Sequence, residues 1–161
     1  MGNTWIVNWG FALILSVFLL STTPWLKSRN LLLPPLKRAL LSPDTPVCIG
    51  KSLQRIRSPL RIFNNLGWGG YLAWKLDEGK KVYCHSLVYV FPEVVMGDYL
   101  LISNGYAEWE RLLQRYRVNC LVLSKAEQRL LIPLVLASRR WQVYYQDELG
   151  IVFISADQRG R

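Results

Sequence analysis

The sole imidazole of this chain, His85, stands directly beside one of its three thiols, Cys84. A cysteine and a histidine act as nucleophile and base only when their side chains can meet. Neighbours on a strand point to opposite faces, so the pair reads as structural, with His85 kept only as a contact candidate at a strand end. Cys48, Cys84 and Cys120 lack the spacing of a metal site, and an odd count leaves no complete disulfide framework. Cys120, within a strongly apolar run, reads as a small buried hydrophobe. Acids are scarce: Asp77-Glu78, Glu108, Glu110 and Asp147-Glu148 fall in expected turns or on exposed helix faces. Water around them gives no reason for a shifted pKa, so a hydrolytic pair has no support. The sequence therefore assigns no catalytic residue, no metal and no cofactor.

Glycines between a strand and a helix are the other arrangement that can carry chemistry, because backbone N–H groups at a helix start suit a phosphate. Gly67 and Gly69 match the first two positions of the dinucleotide fingerprint G-x-G-x-x-G, but its third position holds Leu72. No ribose-binding acid follows the next expected strand, which ends in Cys84-His85-Ser86. Gly67, Gly69 and Gly70 are instead expected to serve a tight turn or a close helix contact, where a side chain would not fit.

The elements that position these residues follow from hydrophobic pattern and turn chemistry. Residues 61–63 form a short apolar strand that Asn64-Asn65 ends, and a helix starts near Gly69 with Tyr71, Leu72, Trp74 and Leu76 as its bulky contacts. A polar turn over 77–81 leads to a second strand at 82–86. Phe91-Pro92-Glu93 opens a helix that runs towards Ser103 and stops at Asn104-Gly105. Tyr106, Trp109, Leu112, Leu113 and Tyr116 recur at helical spacing, leaving Glu108, Arg111 and Arg115 in water. Residues 118–123 are nearly continuous in apolar side chains, as a central parallel strand should be. Ser124-Lys125-Ala126-Glu127 fits a capping box, and because Pro133 would kink or divide a helix, a short turn followed by a second segment to about Arg140 is expected. Residues 143–146 and 151–155 flank Asp147-Glu148-Leu149-Gly150 as a hairpin with glycine in the turn. Residues 48–57 contain a possible short helix. The expected fold is α/β: a mixed sheet with parallel strands, flanking helices and a C-terminal hairpin.

Composition places this domain behind a membrane segment. At 161 residues and 51% hydrophobic, with seven Trp and eight Tyr, the chain can build one core. Residues 5–25 carry no formal charge over 21 positions and have Trp5, Trp9 and Trp25 near their ends, the pattern of a transmembrane helix with interfacial indoles. A signal peptide fits poorly, because no basic side chain precedes the run and Ser21-Thr22-Thr23 is a poor cleavage site. The net charge is +9, and between Lys27 and Arg61 there are eight basic residues against the single acid Asp44. Such a segment beside a span is attracted to anionic lipid headgroups, most directly from Lys27 to Arg38; no nucleic-acid motif accompanies the charges. The expected layout is a transmembrane helix at 1–26, a basic, proline-containing linker at 27–44, a soluble α/β domain at 45–156 and a tail at 157–161.

Phe63-Asn64-Asn65 followed by Trp68-Gly69-Gly70-Tyr71-Leu72 and Trp74 resembles the FN…WGGYL.W signature of the C-terminal soluble domain of GT-C type membrane glycosyltransferases, relatives of the dolichyl-phosphate-mannose protein mannosyltransferases. Further short matches follow in order over about residues 45–155: Val82-Tyr83, Asp98-Tyr99, Trp109, Tyr116-Arg117-Val118-Asn119, Trp141, Val143-Tyr144, Asp147 and Val152-Phe153. Two departures matter. Family members often carry Asp-Gly-Arg after the second strand, where this chain has Cys84-His85-Ser86, and their many spans and catalytic acids have no counterpart in 161 residues. The resemblance implies a membrane-anchored, non-catalytic domain, a fragment or accessory part of a polyprenyl-phosphate-sugar-dependent glycosyltransferase, whose partners are the bilayer and a multi-spanning subunit. Contact candidates are Asn64, Asn65, Trp68, Gly69, Gly70, Tyr71, Trp74, His85 and Ser124. The alternative is an independent, membrane-tethered module for a small ligand or a protein, using the glycine turn and the strand ends. Basic residues after the span place the domain in the cytoplasm, whereas the resemblance places it outside; the reading adopted is a single-pass protein of the cell membrane with an extracytoplasmic domain.

Overall fold

The structure is a computed structural model and describes residues 4–21, 23, 26 and 41–156. It contains two compact units, Met1–Asp44 and Thr45–Arg161. In the first, helix α1 (Thr4–Ser21) has no charged side chain, and its described large apolar side chains, among them Trp5, Trp9, Leu13, Val17 and Leu20, are exposed. Its 18 residues rise about 27 Å, less than the roughly 30 Å of a bilayer's hydrocarbon. No helix among the described residues is long and apolar enough to cross a membrane. The transmembrane helix expected at 1–26 is thus described only as this shorter helix. Most of the 27–44 linker, including the segment from Lys27 to Arg38, and the 157–161 tail lie outside the described residues.

The second unit is the expected α/β domain with a mixed sheet. Its elements are α2 (Val47–Gln54), β1 (Leu60–Asn64), α3 (Gly69–Lys75), β2 (Lys80–Val82), α4 (Glu93–Ser103), α5 (Trp109–Arg115), β3 (Cys120–Ser124), α6 (Leu131–Ala137), β4 (Trp141–Gln146) and β5 (Gly150–Ser155). The strand order is β2-β1-β3-β5-β4. β1 pairs parallel with β2 and β3, and β5 pairs antiparallel with β3 and β4.

Alternation along the three inner strands builds a core on each face of the sheet. Phe63, Leu121, Leu123, Ile151 and Phe153 pack with residues of α4, α5 and α6. Ile62, Cys120, Val122, Val152 and Ile154 pack with Ile49 and Leu53 of α2 and Leu72 of α3. Burial on both faces explains why β3 is buried at all five positions and reads as an unbroken apolar run.

Several expected boundaries move for identifiable reasons. The second strand stops at Val82 instead of Ser86: Tyr83 N–H still donates to Ile62 O of β1 at 2.8 Å and shares that hydrogen with Asn64 Oδ1 at 3.0 Å, but the Cys84 carbonyl is met by the buried Asn64 side chain, whose Nδ2 donates to it at 2.9 Å. The aromatic-rich helix begins at Trp109; Tyr106 lies before it and is exposed. After Ser124 the chain makes the expected turn, up to Leu130, and the helical segment that follows, α6, ends at Ala137 instead of near Arg140; Pro133 falls in its first turn, where its missing N–H costs little. Gly150 opens β5 and supplies no turn conformation; the turn is held by Asp147 Oδ1, which accepts from Leu149 N–H and Gly150 N–H, each at 3.0 Å. A Cβ on Gly150 would overlap Leu123 O and lie 2.8 Å from Trp68 Cη2.

Among Gly67, Gly69 and Gly70, none has a positive φ, and only Gly69 is crowded. A Cβ there would overlap the Cys84 carbonyl oxygen and stand 2.7 Å from His85 Cα, whereas at Gly70 the nearest atom would be Ser86 Oγ at 3.9 Å. The expectation of tight packing at Gly70 is corrected on that ground. Gly69→Ala should therefore lower unfolding free energy by about 1–3 kcal/mol, as overpacking against rigid backbone does. Gly70→Ala, in an exposed helical position, should raise it by about 0.5–1 kcal/mol. Denaturant titration of the two variants in detergent, followed by tryptophan fluorescence, checks both signs.

Candidate functional site

The chain leaves β1 towards β2 on one side and returns to β3 on the other, so the C-terminal ends of β1 and β3 flank the place where open α/β sheets present a crevice. Asn64 and Asn65 lie at the end of β1, and Ser124 ends β3. All three are buried. Asn64 is fully committed to backbone: besides its bonds to Tyr83 and Cys84, Nδ2 donates to Asn65 O at 2.7 Å. Asn65 reaches across the gap, with Nδ2 donating to Glu127 Oε2 at 2.9 Å, while its own N–H donates to Val122 O at 3.1 Å. Asn65 Oδ1 is buried without a hydrogen-bond partner. A Cβ on the neighbouring Gly67 would stand 3.3 Å from it.

The capping box at Ser124 is present in altered form. Glu127 N–H donates to Ser124 Oγ at 3.3 Å, as expected, but the return bond comes from Gln128, whose Oε1 accepts from Ser124 N–H at 3.0 Å. That substitution frees the Glu127 carboxylate for Asn65. Gln128 Nε2 continues the chain of bonds to Ser103 Oγ at 3.2 Å, and Tyr99 OH accepts from Leu66 N–H at 3.0 Å. The result is a polar seam joining β1, β3 and α4.

The remaining contact candidates divide into two places. Trp68 is buried beside Gly150, and Gly69 lies against the Cys84–His85 backbone, so both belong to the packing beneath the seam. Tyr71 and Trp74 lie away from it on α3. Tyr71 lies within 3.1 Å of where a Cβ on Gly50 of α2 would be. Trp74 is 76% exposed, with Lys75 Nζ 5.8 Å from its ring centroid. Gly70 is open to solvent. His85 is half-buried, its Nδ1 accepting from Leu87 N–H at 3.3 Å and its ring edge-on to Phe91.

Cys84 and His85 do not form a reactive pair. The Cys84 side chain is buried in the core with Phe63 and Tyr99, and burial pushes its thiol up to about 12, which keeps it protonated. Cys120 is likewise raised by burial. Among the described residues no group of three or more His, Cys, Asp and Glu could hold a metal ion. Two acids outside the expected set do structural work. Glu127 serves the seam, and the buried Asp98 accepts from Tyr116 OH at 2.6 Å with Arg115 3.8 Å away, clamping α4 to α5. Spacing could have suggested neither pairing, since the partners meet only through the fold.

Compared with protein-family models, with curated proteins and with solved structures, the chain matches none of them.

The burial pattern predicts how the thiols behave. In native protein at mildly alkaline pH only Cys48, which is exposed, should react promptly with a colorimetric thiol reagent, and all three should react in denaturant. Prompt native reaction of a second thiol would show that Cys84 or Cys120 is accessible.

Proposed function

We propose that this protein is a membrane-associated, non-catalytic domain that works beside a multi-spanning glycosyltransferase part. The observation that carries the membrane reading is α1, an uncharged helix whose described large apolar side chains are exposed. A helix of that kind is stable against a core or in lipid, and unstable in water. In sequence the uncharged run continues beyond α1 to Trp25, which brings it to the length that a single pass requires. The basic residues from Lys27 to Arg38 then meet anionic headgroups. The glycosyltransferase partner and the extracytoplasmic side rest on the resemblance of the motif from Phe63 to Trp74. Its residues Asn64, Trp68 and Gly69 are occupied in packing and backbone bonding, which supports a scaffold role for the motif. The seam at Asn65, with its unmet acceptor, is the observation favouring the alternative of an independent ligand-binding module.

The purified chain should float with phospholipid vesicles and stay with them through an alkaline carbonate wash. A variant with Leu13, Val17 and Leu20 replaced by Lys should remain at the bottom of the gradient. Wild-type protein that sediments free of vesicles overturns the membrane reading. The same vesicles, supplied with labelled polyprenyl-phosphate sugars and acceptor peptides, should show no transfer, because no described acid is positioned as a base towards an acceptor. Sustained turnover by the chain alone would refute the non-catalytic assignment.

A further inference from the structure

α6 combines two features that globular surfaces rarely join. Its seven residues, Leu-Ile-Pro-Leu-Val-Leu-Ala, include no polar side chain. Leu131 and Val135 fill the core, yet Leu134 and Leu136 face outwards at 40% and 56% exposure, and Leu130 just before the helix is 58% exposed. Single exposed leucines are ordinary, but an outward helix face made only of apolar groups marks a contact surface. The turn after α4 enlarges it. Gly105, at φ +66°, packs so closely that a Cβ would lie 2.7 Å from Leu134 Cδ1, and the residue that follows it, Tyr106, is exposed.

The rim of this face is cationic. Arg129 and Arg139, on either side of α6, are exposed; Lys125 is turned away, its Nζ donating to Asp147 O at 2.6 Å, and the one acid between 125 and 140, Glu127, is engaged by Asn65. Of the acids that precede and open α5, Glu108 pairs with Arg111 and Glu110 accepts from Ser138 Oγ at 3.0 Å. Among the described residues none of Arg129, Arg139 and Arg140 has an ion pair, and Arg140 Nε is buried without a hydrogen-bond partner. Apolar groups flanked by two exposed guanidiniums without ion pairs match a layer in which phosphates lie over acyl chains.

We propose that α6 is a membrane-docking face: Leu130, Leu134 and Leu136 enter the headgroup boundary of an anionic bilayer, and Arg129 and Arg139 pair with lipid phosphates. This contact is made by the folded domain and rests on the membrane reading above, since attachment through α1 raises the local concentration of lipid around it. The occupant is lipid and not protein because both halves of the surface, apolar centre and unpaired cations, have their counterparts in it.

The test uses the full chain with Cys48→Ser and Leu134→Cys, labelled at residue 134 with a polarity-sensitive fluorophore, plus a control labelled through Glu78→Cys in the polar turn. With vesicles containing phosphatidylserine, the label at 134 should shift to the blue and be quenched by nitroxide lipids, while the label at 78 stays in water. Arg129→Ala and Arg139→Ala should each weaken the docked fraction about fivefold, and neutral vesicles should abolish the difference. A chain that floats with anionic vesicles while residue 134 remains in water overturns the docking face and leaves the membrane reading standing. A chain that fails to float overturns both. A blue shift without vesicles indicates a protein contact, such as a second copy, and also overturns the proposal.

Discussion

The domain depends on one buried amide. Asn64 sits where the parallel pair β1–β2 ends: Tyr83 N–H makes the last backbone bond, to Ile62 O, and the Asn64 side chain shares that donor and supplies the partner of Cys84 O. Buried backbone groups need partners, and β2 is too short to supply them itself. Once the 83–84 segment is held, its carbonyl lies so near α3 that only glycine fits at position 69. That contact fixes how far α3 can approach the sheet, and hence how Leu72 reaches the lower core.

From this anchor the two cores acquire their shapes. Phe63 points to the face covered by α4, α5 and α6, where Tyr83 and Tyr99 meet its ring at centroid distances of 5.3 and 5.5 Å. Ile62 points to the face covered by α2 and α3. The β5 hairpin then inserts beside β3, so the most buried strand gains antiparallel partners on its second edge. Asn119 secures the start of the parallel pair, with Oδ1 accepting from Arg61 N–H at 2.8 Å and Nδ2 donating to Pro59 O at 3.2 Å.

Polar chemistry in this domain is spent on joining elements. Carboxylates at Glu127 and Asp98 each accept from a neutral donor across a gap between elements. Buried thiols are held protonated. The groups left without partners lie at the surface, among them the exposed apolar side chains of α1 and α6 and the exposed guanidiniums of Arg129 and Arg139.

The sequence alone determined the class of fold, because short, nearly continuous apolar runs alternate with segments whose apolar residues recur with helical period. It placed α4 from Glu93 to Ser103, ended by Asn104-Gly105, and it recognised β3 as central, since a strand covered on both faces must be apolar throughout. It also marked 5–25 as uncharged and apolar. Tertiary structure decided what depends on partners far along the chain. Asn65 meets Glu127 across 62 positions, and Asn64 meets Cys84 across 20, so neither the early end of β2 nor the use of Glu127 was legible. Three neighbouring glycines look alike in sequence, yet only Gly69 faces another backbone, because helix rotation turned Gly70 to solvent. The box at Ser124 shows the same division: local chemistry predicted the hydroxyl bond, and the fold gave the return bond to Gln128 and the Glu127 carboxylate to Asn65.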